Sequence, residues 1–177
     1  GWLENNLKVD IEVIKLKNYN HKLKYIPPIR PSPNLPNIQS IYLYPSLAFL
    51  EKTEVSVGRG TENQFQVYGH PDFDSDYSFI PQPNFGSQYP KLEGIESYGK
   101  NLKNYKTSNS IELKWLMNSY SQIDDKSRFF RSDFDKLSGS SMLKKQIIEG
   151  VSETEIRNSW KKGLEKFKKI RQKYLLY

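Results

Sequence analysis

The segment SETEIRNSWKKGLEKFKKIRQKY, residues 152–174, decides the fold class once it is set beside the opposite end of the chain. Ser152 and Glu155 stand at the spacing of a capping box, in which each side chain satisfies the other's backbone N–H. Ile156, Trp160, Leu164, Phe167 and Tyr174 follow at intervals of three, four or seven, which places them on one side of a helix. Gly163 costs that helix about 1 kcal/mol relative to alanine. Near the N-terminus the period is two instead. Leu7, Val9, Ile11 and Val13 alternate with Lys8, Asp10 and Glu12, as in a strand with one buried face.

Between these ends the sequence reads as strands and loops first, then helices. Five prolines from Pro27 to Pro36 make a stiff extended loop. Residues 41–57 read as short strands interrupted at Pro45, with further strands over Gln64–Tyr68, around Tyr77–Ile80 and around Gly94–Tyr98. Ser108 or Ser110 can cap a helix carrying Ile111, Trp115, Leu116 and Tyr120, and a second helix spans Ser140–Glu149 with Gly150 as its stop. The expectation is an α+β fold: one domain over 1–177, a mixed sheet with long loops, and C-terminal helices packed on it.

Composition narrows the function. A chain of 177 residues can bury a real core, and 14% aromatic residues set it apart from a disordered basic tail. A formal charge of +7 favours an anionic partner: nucleic acid, an anionic membrane or an acidic glycan. With no cysteine, disulfides, thiolate catalysis and zinc–sulfur sites are excluded. No apolar run approaches the roughly 20 residues that cross a bilayer. Gly1-Trp2, with neither an initiator methionine nor a leader pattern, reads as the start of a piece of something longer, whereas Lys173-Tyr174-Leu175-Leu176-Tyr177 reads as a natural end.

The sharpest motif is Gly58-Arg59-Gly60-Thr61, preceded by Glu51 and Ser56. Flanking glycines permit positive φ and close approach of a ligand, and a guanidinium offers a planar fork to a carboxylate or phosphate. The alternative is a tight turn in which Arg59 pairs with Glu51 structurally. Pro31-Ser32-Pro33-Asn34 fixes a hydroxyl and an amide on stiff backbone, groups suited to the hydroxyls and acetamido group of a sugar. It can equally be a connector, and Pro28-Ile29-Arg30-Pro31 matches the weak pattern of an adaptor ligand. Asp72, Asp74 and Asp76 resemble the start of a calcium loop, but Tyr77 and Pro83 occupy the places of its glycine and glutamate. His21 and His70 are too few and too far apart for a local metal site, so neither metal nor cofactor is implied. Lys161, Lys162, Lys166, Lys168, Lys169, Arg171 and Lys173 read as a solvated face. Helix-turn-helix and RNP-type patterns are missing, which makes a nucleic-acid partner unlikely.

In order and spacing, Pro31-Ser32-Pro33-Asn34, Ser56–Thr61, Phe79-x-Pro81-x-Pro83-Asn84-Phe85-Gly86, Tyr98-Gly99 and Lys173–Tyr177 resemble the C-terminal half of the NamZ-type exo-β-N-acetylmuramidases, formerly a domain of unknown function. The resemblance implies an enzyme that releases N-acetylmuramic acid from the non-reducing ends of peptidoglycan fragments or muropeptides, in the periplasm or outside the cell. It also implies an upstream Rossmann-like domain that carries the catalytic residues, leaving this chain inactive or nearly so by itself. N-acetylmuramic acid differs from N-acetylglucosamine by a lactyl ether bearing a carboxylate, which Arg59 would read. Ser32, Asn34, Glu51 and Thr61 complete the expected substrate-binding set, with Glu51 orienting Arg59. Lys52, Glu54 and Gln64 depart from the residues usual in that family, and the first two add charges beside the site. The rival reading is a non-enzymatic binding module for an anionic polymer, either cell-wall glycan or nucleic acid.

Overall fold

The computed structural model describes residues 10–20, 22–108 and 110–175, and these divide into two compact units. The larger, Ile26–Val151, holds the sheet and most of the helices. It opens with helix α1 (Ile38–Leu47), which runs on into a 3-10 turn over Ala48–Lys52. Short strands, expected over 41–57, are therefore absent from 41–52, and a cap explains why. The Asn37 side chain accepts from Ser40 N at 3.0 Å, and Ser40 Oγ accepts from Asn37 N at 3.3 Å, which starts a helix ahead of the stretch read as strand. Pro45 falls in the last turn and forfeits one backbone bond. Burial of Leu43, Leu47 and Leu50 on one face outweighs that loss.

Three short strands follow: β1 (Val67–His70), β2 (Tyr77–Phe79) and β3 (Ser97–Asn101). They pair in the order β1-β3-β2, and both pairings are antiparallel. The fold is α+β as expected, with a sheet that is antiparallel rather than mixed. Helix α2 (Lys114–Gln122) lies against β1 through Trp115, whose ring sits 5.7 Å from that of Tyr68. It begins later than read, at Leu113, with no side-chain cap; Ser108 instead donates to Glu112. Short helices α3 (Lys126–Phe129) and α4 (Phe134–Ser138) bring Phe129, Phe130 and Phe134 together with Tyr120 and Phe49. Helix α5 (Met142–Ile148) then ends before Gly150, whose φ of +73° is the left-handed stop expected there.

The smaller unit joins the N-terminal segment, up to Tyr25, to the chain from Ser152 onward. Its helix α6 (Glu153–Arg171) has the capping box read from sequence: Glu155 N donates to Ser152 Oγ at 3.3 Å and Ser152 N to Glu155 Oε2 at 3.1 Å. The stripe is not the core face it was read as. Ile156 is buried, but Trp160 is half-buried, and Leu164, Phe167 and Tyr174 are 40–50% exposed. The lysines of α6 lie on solvated surface. The early strand also fails where it can be checked, since 10–13 is exposed and unpaired; Leu7 and Val9, like His21, lie outside the described residues. No helix among the described residues is long and apolar enough to cross a membrane.

Candidate ligand pocket

The turn around Arg59 is built from its own hydrogen bonds. Thr61 N and Thr61 Oγ1 both donate to Gly58 O, at 3.1 and 2.7 Å, Asn63 N donates to Thr61 Oγ1, and Phe65 N closes the turn on Val57 O at 2.8 Å. Gly58 and Gly60 have φ of +76° and +78°. A Cβ on Gly58 would stand 2.6 Å from Val67 Cγ2, and one on Gly60 would stand 2.6 Å from Gln82 O. The space these glycines leave is filled by the protein itself, so they serve the turn rather than a ligand's approach.

The turn holds Arg59 side-on against Glu51. Nε donates to Oε1 at 2.6 Å and Nη2 to Oε2 at 2.9 Å, while the guanidinium lies over the ring of buried Phe65, 5.1 Å from its centre. The hydrogen bonds to Glu51 raise the Arg59 pKa against the opposing effect of burial. Side-on pairing uses one edge of the guanidinium and leaves Nη1 for another acceptor.

Arg59 lines an open pocket of about 260 Å³ together with Glu51, Ser56, Val57, Ser87, Tyr89, Lys91 and Arg131. Lys91 is its least expected member. Its Nζ lies 2.6 Å from Thr53 O, 2.8 Å from Val55 O and 3.1 Å from Leu50 O, with Glu51 O at 3.4 Å. Burial, and then the charge of Arg131, push the Lys91 ammonium down to about 7. Arg131 Nε faces Glu54 at 3.5 Å, and its backbone N–H donates to Lys52 O at 3.0 Å. Lys52 pairs with Asp133. The two charged departures from the family pattern thus tie the Glu51 segment to the Arg131 segment.

Of the five residues read as substrate-binding, Glu51 and Arg59 line this pocket; Ser32, Asn34 and Thr61 do not. Thr61 is spent on the turn. Ser32 Oγ accepts from Asn34 N at 3.2 Å, and Asn34 Nδ2 donates to Gly86 O at 2.7 Å, which pins the loop that presents Ser87 and Tyr89. Tyr89, Lys91 and Arg131 are pocket residues that sequence reading missed. No local pattern marks a lysine destined for burial, because the carbonyls that cage it come from about forty residues upstream.

The pocket can hold an anion. The guanidiniums of Arg59 and Arg131 line it with one carboxylate, Glu51, which Arg59 already holds, while the Lys91 N–H groups are spent on backbone carbonyls. Hydrolysis of a glycosidic bond by the usual route needs two carboxyl groups flanking the bond. Among the described residues this pocket supplies only Glu51.

Comparison with known proteins agrees with the sequence resemblance. The family model described as "Exo-beta-N-acetylmuramidase NamZ, C-terminal" matches residues 42–177. The chain is 29% identical to the peptidoglycan β-N-acetylmuramidase NamZ of Bacillus subtilis, over 98% of this chain and 47% of that protein. A crystal structure of a DUF1343 family protein from Bacteroides fragilis superposes with a TM-score of 0.84 at 43% identity, covering 91% of this chain and 47% of the other. A second DUF1343 structure from that organism, 19% identical with a TM-score of 0.61, shares the fold. The chain spans about half the length of each of these relatives. It belongs to the NamZ C-terminal family and is a muramidase-family domain.

Proposed function

We propose that this domain is the substrate-binding half of a peptidoglycan exo-β-N-acetylmuramidase that removes N-acetylmuramic acid from non-reducing ends in the periplasm or outside the cell. The observation that carries the reading is Arg59: Glu51 fixes its guanidinium side-on, leaving its other edge unused by that pair, and it lines a pocket that Lys91 and Arg131 also line. A carboxylate is the group such an edge binds best, and the lactyl carboxylate is what distinguishes a muramic from a glucosaminic sugar. With a single, already paired carboxylate in the pocket, the chemistry falls to the other half of the length that the relatives possess. Peptidoglycan fragments are then the ligand, and an upstream Rossmann-like domain is the partner that completes the cleft.

The test is kinetic. In a protein that joins this chain to an upstream half of the relatives' kind, Arg59→Ala should lower kcat/KM for a muramide by about 2–5 kcal/mol of transition-state binding, the range for a desolvated charge that loses its partner. An unchanged kcat/KM would refute the assignment. Equal loss on muramides and glucosaminides would keep Arg59 in the site and refute its role in reading the lactyl group. The 177-residue chain alone should release no N-acetylmuramic acid, and robust turnover by it would place the chemistry in this half.

A further inference from the structure

We propose that Phe85 and Tyr89 form an aromatic platform that stacks the neighbouring sugar rings of a glycan whose acidic unit occupies the pocket. At 95% and 88% exposure they are the barest aromatic side chains among the described residues. Both lie on one loop, and that loop also gives Ser87 and Lys91 to the pocket. Leaving two large rings in water forgoes the stabilisation that covering them would bring.

The loop beneath them is pinned at several points. Asn84 Oδ1 accepts from Gly86 N at 3.0 Å and from Ser87 N at 2.9 Å, and Gly86 O accepts from Asn34. Gln82 N donates to Gly60 O at 2.8 Å, Gly94 N donates to Pro81 O at 2.8 Å, and Lys91 anchors the middle. Such backbone fixes where the rings are rooted, so that covering them costs only the rotation of two side-chain torsions each. Tyr89 is itself a wall of the pocket, so the matching ligand has an apolar face continuous with an anionic group. A pyranose has such a face in its axial C–H bonds, and its polar edge is left free for water or protein. This inference rests on the glycan reading above and adds to it a second subsite, one that favours chains of sugars over a single sugar.

Calorimetric titration of the chain with three probes tests it: N-acetylmuramic acid, a muramic–glucosaminic disaccharide, and a neutral trimer of N-acetylglucosamine. Phe85→Ala should weaken disaccharide binding by about tenfold and leave the monosaccharide within about threefold, Tyr89→Ala, which also strips a wall of the pocket, should weaken both, and Tyr89→Phe should bind as the parent does. Both alanine variants should melt at the parent's temperature, since the rings are bare. Equal loss on monosaccharide and disaccharide in Phe85→Ala, no loss on the disaccharide in either alanine variant, or a clear drop in melting temperature overturns the platform. If muramides bind with no contribution from either ring, the Arg59 reading stands and the platform falls. If the neutral trimer binds through Tyr89 while muramides gain nothing from Arg59, the platform stands and the anion reading falls.

Discussion

Arg59 and Lys91 show how differently two cations can be legible in one sequence. Arg59 announces itself by its flanking glycines, and its two hydrogen bonds to Glu51 are the pairing that both readings of the turn, ligand-binding and structural, contain. The glycines serve a different purpose from the one read, because Val67 and Gln82 fill the space beside them. Arg59→Ala should therefore also cost about 1–2 kcal/mol in denaturant melts, since Glu51 would lose its partner and Phe65 its cover. Arg59→Lys should restore charge but not the two-point pairing, and so recover little binding. Lys91 was invisible in sequence because its environment is assembled by tertiary contact. Its pKa lies below the free-lysine value, so between about 7 and 10.5 the unfolded chain holds a proton that the folded one releases. Stability should accordingly rise with pH across that window, by at most about 1.4 kcal/mol per unit. The difference between parent and Lys91→Met melts isolates this slope. An equal pH dependence in both would show that Lys91 titrates normally.

Among the elements, the capping box of α6 and the stop at Gly150 are legible in the sequence, whereas the caps of α1 and α2 and the covered face of α6 are not. A capping box is local chemistry, so Ser152 and Glu155 sufficed to place the start of α6. Which face of α6 is covered depends on what packs against it, and sequence periodicity does not carry that information. Trp160→Ala should consequently cost only about 1 kcal/mol, whereas Leu116→Ala, at a fully buried position of α2, should cost about 2–5 kcal/mol. Comparable losses for the two in chemical denaturation would mean that Trp160 is core after all. Helix α1 hides behind Pro45, which reads as a break, while the Asn37–Ser40 cap eight residues before it starts the helix. The entry to α2 holds a further device that sequence did not show. Glu112 N donates to Ser46 Oγ in α1 at 2.9 Å, and its carboxylate accepts from Tyr105 and Ser108 and pairs with Lys114. Burial would raise this carboxyl, but the hydrogen bonds from Lys114, Tyr105 and Ser108 prevail and hold it down at about 2. Its stabilisation is complete above the unfolded value of 4.5 and is lost as pH falls toward 2. Glu112→Gln should destabilise the chain by about 1–3 kcal/mol at pH 7 and flatten its acid limb. An acid limb identical to the parent's would contradict that role.

At the scale of the whole molecule, the α+β class was legible because the strand-like stretches at Gln64–Tyr68, Tyr77–Ile80 and Gly94–Tyr98 precede the later helices, although the alternation over 10–13 belongs to no strand. The pocket was half legible: its Glu51–Arg59 pair is a local motif, while Tyr89, Lys91 and Arg131 come from loops brought in by the fold. Each relative is about twice as long as this chain. A native gene product of about twice this mass, read by intact mass spectrometry, is expected if catalysis belongs to an upstream half. The most direct test of the central claim is a calorimetric titration of N-acetylmuramic acid and N-acetylglucosamine into the parent chain and Arg59→Ala. The account predicts that the parent binds the muramic sugar at least about tenfold more tightly, the worth of one charge-assisted pair, and that the preference disappears in the variant. Equal affinity for the two sugars in the parent, or a muramic preference that survives in folded Arg59→Ala, would contradict it.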